Sequence, residues 1–498
     1  MKNKSLNLLL VAAVLATTVG CKKGYLDTKP SDAITLDQAY ETIAAINSGL
    51  VATYNSTFDF GVGNGNTGHD NFGHKAVDLA NDLMGQDMVV HTQGYGWFNR
   101  DYQYVEWTLP NGTGTRSDKV WSFYYNIIRQ VNLMLDNTAN QTITPALETA
   151  RGQALGIRAW CYFNLINNFQ QTIKGHETDK GVPLRINSDP ISLPRGTAQQ
   201  VYAQIISDLT TAETLLNGKP RASKKNMDVS TVRGLRARVA LAQEDWATAA
   251  NYANLAKQSY TLMSNAVYTS RTGFSSVNTS EWIWGMPIPT EQATIYASFF
   301  SHMDPSQLSY AQLGGQKKIT KALYDQIPAT DVRKQVFTAP GTGNANFPDY
   351  CQKKHLVPVV GSWAADYLYM RASEMYLIEA EALARQGAAK EAQAQAVLQS
   401  LIGLRNPAYN AAGFTGTALI NEILLQRRIE LWGEGFSLFD IKRTHSGLNR
   451  ATGAGNHGAP NFDPIVYTQP DASPKFLMRI PQRELDSNTE MTAADQNP

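Results

Sequence analysis

The chain has 498 residues, with 44 Lys and Arg against 43 Asp and Glu. That length exceeds one small domain and fits a single large body or two merged units with a sizeable core. The even charge balance leaves no footprint for nucleic acid or an acidic surface as partner.

Residues 1–20 differ in kind from the rest. Lys2 and Lys4 open a segment in which Leu6 to Val19 is mostly apolar, and Gly20 precedes Cys21. This reads as an export signal, too short to span a membrane. A small residue before cysteine is what lipoprotein processing requires, so Cys21 is the expected lipid attachment site, although Thr18 stands where Leu is usual. At roughly 0.8 kcal/mol per buried methylene, several acyl chains hold a protein on a membrane. Residues 21–34 are then a lipidated tether and 35–498 a single body. The other cysteines, Cys161 on a helical stretch and Cys351 in a loop-like one, are not expected to pair, since a chain of this size does not depend on disulfide staples.

The helical frame is expected mainly over 35–56, 118–259 and 370–443, with loop-rich regions at 57–115 and 260–369. Thr35 can cap the first helix, whose buried side carries Ala39, Ile43, Ile46, Leu50 and Tyr54. From Thr57 to Thr115 the periodicity dissolves into Gly, Asn, Asp and aromatics, and structureless loops of such length are usually functional. Helices resume at Asp118 to Leu135 and again at Thr144-Pro145, a cap followed by proline at the first helical position. Another follows Thr197. In the stretch Val229 to Ser259, Ala237, Ala249, Ala253 and Ala256 fall where a tetratricopeptide repeat places small residues. A short strand is expected at EWIWGMPI, inside the irregular region before Tyr369.

Met370 to Arg443 reads as helix, turn, helix, loop, helix, with Gly387 at the turn. Ala380, Ala392 and Ala396 repeat the small-residue register. In the third helix Ile420, Leu424 and Leu431 form the apolar line, while Glu422, Arg427, Arg428 and Glu430 read as a solvated face with short-range ion pairs. The fold class is therefore mostly α, with tetratricopeptide-like helical pairs in a partial solenoid, long irregular loops and a few short strands.

The RASEMYLIEAEAL helix followed by LLQRRIELWGEGFSLFDIKR resembles the C-terminal signature of the SusD/RagB family of bacterial outer-membrane nutrient-binding lipoproteins. GYLDTKPSD after Cys21, Trp121, Tyr125 and Asn132 on one helix, RAWCYFNL with KGVPL, and the ending from Ile480-Pro481 to Gln496-Asn497-Pro498 resemble it in the same order. The resemblance implies a SusD-like α/α fold. It also implies a surface-exposed, lipid-anchored outer-membrane protein that binds glycans without transforming them and passes them to a SusC-like TonB-dependent transporter. A RagB-like oligopeptide binder, a scaffold holding a protein partner in its helical groove, and a surface glycosidase are the rival readings.

No GxSxG, HExxH or GxxxxGK[ST] motif is present. No cofactor is expected, and none of the residues suggests a catalytic role. His69, Asp70 and His74 could form only a corner of a metal site, with no third ligand implied by spacing. What stands out is aromatic density in the loops. Tyr95, Trp97, Phe98, Tyr102, Tyr104 and Trp107 lie in the first; Trp282, Trp284, Tyr296, Phe299, Phe300 and Tyr310 lie in the second. A sugar lays its C–H face on an aromatic ring while its hydroxyls meet amide or charged side chains at the edge. The glycan-binding candidates are Tyr95, Trp97, Phe98, Asn99, Arg100, Trp282, Tyr296 and Phe300.

Overall fold

A computed structural model of the chain describes residues 36–63, 65–105, 115–458 and 466–498. The export signal, Cys21, the tether, Thr35 and Trp107 lie outside the described residues.

The body is a run of packed helices. Helix α1 (Ile43–Ser56) buries Ile46, Leu50 and Tyr54 of the expected face, whereas Ile43, its first residue, is exposed and Ala39, before the Thr42 cap, is half-buried. Next comes α2 (His74–Met84), inside a stretch read as loop. Its polar residues masked it: His74, Lys75, Asp78 and Asp82 are all buried and satisfy one another or backbone groups rather than water. A five-residue helix, α3 (Asn99–Gln103), follows.

The long helices α4 (Arg116–Asn137) and α5 (Pro145–Phe169) pack on each other, and Thr115 and Thr144 cap them through their side-chain oxygens. Helix α6 (Ala198–Leu216) starts with a full capping box between Thr197 and Gln200. It packs on α5 and then on α7 (Val229–Ala242), which is paired with α8 (Trp246–Lys257) through a three-residue connection. Ala237, Ala249, Ala253 and Ala256 are buried in that pair, so the two backbones approach closely.

The stack then continues across more than a hundred residues of irregular chain. The short helix α9 (Phe299–Met303) lies within that stretch, and α8 packs directly on α10 (Ala372–Ala384) in the C-terminal part. Helix α10 pairs with α11 (Ala388–Arg405) around Gly387, whose φ of 88° needs glycine. Met370 belongs to the strand before α10 rather than to the helix. Ala380 is buried but Ala392 and Ala396 are exposed, because they lie on the outer face of α11.

Two further helices, α12 (Gly416–Glu430) and α13 (Ser437–Arg443), close the body. Here the charge pattern departs from the sequence reading. Arg427 and Glu430 are buried while Ile420 and Leu424 stay half-exposed, so the core face of α12 is Leu419, Ile423, Gln426, Arg427 and Glu430. Around Glu430 four cations and four carboxylates close a buried network. Arg371 donates to Glu281 at 2.6 Å, Glu430 at 2.8 Å and Glu434 at 2.7 Å, while Arg405 reaches Glu281 and Glu430, Arg333 reaches Asp331 and Glu430, and Lys354 reaches Glu434. Burial alone would raise the Glu430 carboxyl, but Arg405, Arg371 and Arg333 hold it well below the usual carboxylate range.

Strands are few, in four two-stranded antiparallel sheets: β1 (Met88–Val90) with β5 (Lys317–Ile319), β2 (Lys180–Pro183) with β3 (Arg195–Thr197), β4 (Trp282–Met286) with β6 (Tyr367–Arg371), and β7 (Leu448–Asn449) with β8 (Thr468–Gln469). The strand expected at EWIWGMPI is β4. Cys161 and Cys351 are both buried free thiols. Among the described residues no helix is long and apolar enough to cross a membrane.

Candidate functional site

The β1–β5 pair, in the register Met88 with Ile319 and Val90 with Lys317, brings the two aromatic loops together. Beyond it His91 N–H donates to the Gln316 carbonyl at 2.9 Å, and Thr92 donates through both its N–H and its hydroxyl to the Gly314 carbonyl. This contact needs glycine on both sides. A Cβ on Gly314, at φ 106°, would lie 2.7 Å from Thr92 Oγ1, and one on Gly94 would lie 3.2 Å from the Gly315 nitrogen.

The loop following Thr92 then alternates outward and inward rings. Tyr95 is 69% exposed and Trp97 half-buried, whereas Phe98, in the left-handed region at φ 63°, turns beneath them. Left-handed backbone at a bulky residue is strained. What holds it is packing on Phe72 and His302 and the Arg116 guanidinium 4.5 Å from the Phe98 ring centroid.

Above this floor rings from separate segments converge on His69. The imidazole stacks on Trp97 (5.4 Å between centroids, 27° between planes) and on Tyr296 (6.0 Å, 3°). It also shares a 2.5 Å hydrogen bond with the Tyr310 hydroxyl. Tyr310 in turn meets Tyr95, Trp97 and Tyr296 at 5.3, 6.0 and 5.3 Å, and Phe60 lies edge-on to His69 at the rim. His69, Trp97, Tyr296 and Tyr310 are half-buried, and Tyr95 and Phe60 are exposed. Two polar atoms at the cluster are buried without a hydrogen bond: Trp97 Nε1, whose interaction with the Tyr310 phenol is not a closed hydrogen bond, and Asn99 Oδ1, whose amide nitrogen donates to the Gln93 carbonyl. Unmatched polar atoms beside rings are what a hydroxyl-rich ligand can satisfy.

Of the expected site residues, Tyr95, Trp97 and Tyr296 come together, Asn99 adjoins them, and Arg100 is exposed on α3. Three expectations are corrected. Phe98 is floor rather than surface, for the backbone reason given. Trp282 is 0% and Phe300 1% exposed: β4 is covered on both faces, so strand alternation releases neither Trp282 nor Trp284, and Phe300 packs under Tyr367. Sequence reasoning missed His69 and Phe60 as ring partners. The metal corner is also set aside, because its three members part company: His69 bonds Tyr310, Asp70 pairs with Arg116 and Lys119, and His74 meets Tyr124 and Asp78.

The carboxylates that adjoin the rings in sequence are engaged in buried ion pairs. Asp70 and Asp101 both pair with Arg116, and although burial opposes it, Arg116 and Lys119 hold Asp70 below its ordinary range. A glycosidase acid needs the opposite shift.

Buried histidines, His302 of the floor among them, also set a pH response. Burial pulls His302 down to about 3, His457 to about 3 and His74 to about 4, so each is neutral in the fold and binds a proton in the unfolded chain below about 6.5. The unfolded state therefore takes up more protons, and stability falls as pH drops from 6.5 toward 4. His355, also lowered by burial, acts in the same direction, and Asp82, raised by burial to about 7, opposes it. Urea unfolding at pH 7 and 5 is expected to show the lower stability at pH 5; a rise at pH 5 would contradict the neutral assignment.

Two family models match the chain, "Starch-binding associating with outer membrane" over residues 25–241 and "SusD family" over 333–498. A SusD-like carbohydrate binding protein from Bacteroides vulgatus is 26% identical, with a TM-score of 0.78 over 92% of this chain and 98% of that one. The chain belongs to the SusD/RagB family. Surface glycan-binding protein A from Bacteroides thetaiotaomicron, at 16% identity, shares the fold with a TM-score of 0.69 over 91% of this chain and 98% of that one. No curated protein matches the chain. Within this SusD/RagB-family protein the ring cluster is a feature of the two loops, built on the helical stack that the family shares.

Proposed function

We propose that this protein captures a glycan on the ring cluster of His69, Tyr95, Trp97, Tyr296 and Tyr310 and does not transform it. The observation that carries the reading is the convergence of partly exposed rings from separate chain segments, two with nearly parallel faces, over a floor already filled by Phe72, Phe98 and His302. Rings above a full floor have no packing role left for their outer faces, and a pyranose C–H face suits them. The carbohydrate-binding relative from Bacteroides vulgatus supports the same ligand class. The scaffold reading has less support. The groove between α8, α10 and α11 mixes Asn251, Asn254, Gln386, Lys390 and Gln393 with Leu383, Val397 and alanines, and it holds none of the aromatic or arginine anchors that dominate protein interfaces.

On this reading Cys21 carries the lipid, the body sits at the outer face of the outer membrane, and the glycan passes to a SusC-like TonB-dependent transporter. Cys21→Ser is expected to move the protein out of the membrane fraction; full retention there would remove Cys21 as the anchor. The binding function is tested by titrating the protein with panels of neutral oligosaccharides and of oligopeptides, then chromatographing the bound sugar. Saturable binding of an oligosaccharide recovered intact is expected. Binding of peptides alone, or release of shorter sugars that stops on mutating one Asp or Glu, would contradict it.

A further inference from the structure

A separate cavity of about 590 Å³ opens between α12, α13 and the C-terminal end of α2, a volume in the range of small-ligand sites. Its apolar walls are Leu424, Leu425, Leu431, Phe436 and Ile441. Leu424 belongs to the apolar stripe that the sequence of α12 advertises, left half-exposed while the charged face turns to the core.

Arg427 lines this cavity and is 1% exposed. Its Nε donates to Asp440 Oδ2 at 2.7 Å and its guanidinium lies 5.0 Å from the Phe436 ring centroid, but Nη1 and Nη2 are buried with no hydrogen bond. The other charged groups lining the cavity are matched. Arg428 pairs with Asp87, Asp82 accepts from the Gly435 and Ser437 amides, and Glu422 accepts from Gln426. Asp440 is shared with Arg443, which together with Arg385 also uses Glu381. Three guanidiniums thus share two carboxylates, and the excess positive charge falls at the arginine whose donors are unmatched. A buried guanidinium fork without acceptors is costly, and a carboxylate satisfies both of its outer nitrogens at once.

We propose that this cavity binds an apolar carboxylate, the acid group on the Arg427 fork and its hydrocarbon body on the leucine, isoleucine and phenylalanine walls. The site is separate from the ring cluster and does not depend on it. A free organic acid carries this chemistry.

Calorimetric titration of the full chain with 4-phenylbutyrate and with its neutral isostere 4-phenylbutyramide tests this. The acid is expected to bind at one site, at least ten-fold more tightly than the amide, and at least ten-fold more weakly to Arg427→Gln. Because Arg427→Gln also frees Asp440, Leu425→Glu provides the second variant: a carboxylate on the half-buried wall is expected to abolish acid binding while melting temperature and glycan affinity stay at wild-type values. The proposal is overturned if the wild type fails to bind the probe, if acid and amide bind equally, or if Leu425→Glu binds the acid like wild type.

Discussion

Replacing Glu430 by Gln is expected to cost about 3–5 kcal/mol of folding stability, the largest single effect we anticipate. The substitution keeps shape and volume, so no cavity term enters. What it removes is the charge facing three buried guanidiniums: Arg371 at 2.8 Å, Arg405 at 3.3 Å and Arg333 at 3.4 Å. None of them can lose its proton or reach water, and the remaining Glu281, Glu434 and Asp331 must hold four cations. The network ties β6, α11, α12 and the segment at Arg333 into one body, so the loss should appear as a lower urea midpoint with an unchanged slope. The pH dependence carries the same signature. A carboxyl depressed in the fold contributes stability that is present above its unfolded value of about 4.5 and is lost as pH falls through its native value. The Gln variant should therefore show a shallower loss of stability on acidification below pH 4.5. A cost under about 1 kcal/mol would mean that these charges are as well solvated as surface pairs.

Trp97→Ala is expected to weaken glycan binding by about ten-fold, roughly 1–2 kcal/mol. The indole is half-buried and stacks on His69, so one face is spent on the cluster and the other remains for a ligand. Because Phe72, Phe98 and His302 fill the floor independently, folding stability should fall by less than the 3 kcal/mol or more typical of emptying a core tryptophan site. An unchanged affinity together with a large drop in melting temperature would move Trp97 into the core and leave Tyr296 as the principal ring.

Much of the frame was legible because its signals are local. Thr144-Pro145 and Thr197 mark helix starts by their capping chemistry, Gly387 marks a turn that needs positive φ, and the alanines of α7 and α8 mark close helix approach. Helix α2 was not legible, since His74, Lys75, Asp78 and Asp82 interrupt its apolar residues and look solvated until the partners that satisfy them are known. The same blindness turned the ion network around Glu430 into an apparent surface. At the site, glycine-flanked Tyr95 and neighbouring Trp97 were readable as presented rings. Whether Phe98 points with them depends on one left-handed residue, and whether Trp282 and Phe300 are free depends on what covers them from distant segments. His69 escaped because an imidazole beside an aspartate suggests a metal before it suggests a ring.

The most direct measurement is a crystal structure of the protein soaked with the tightest-binding oligosaccharide of the panel. The account predicts a sugar ring with its C–H face within about 4 Å of Trp97 or Tyr296 and hydroxyls reaching Trp97 Nε1 or Asn99 Oδ1. A sugar seated instead in the groove of α8, α10 and α11, with the rings left bare, would contradict it.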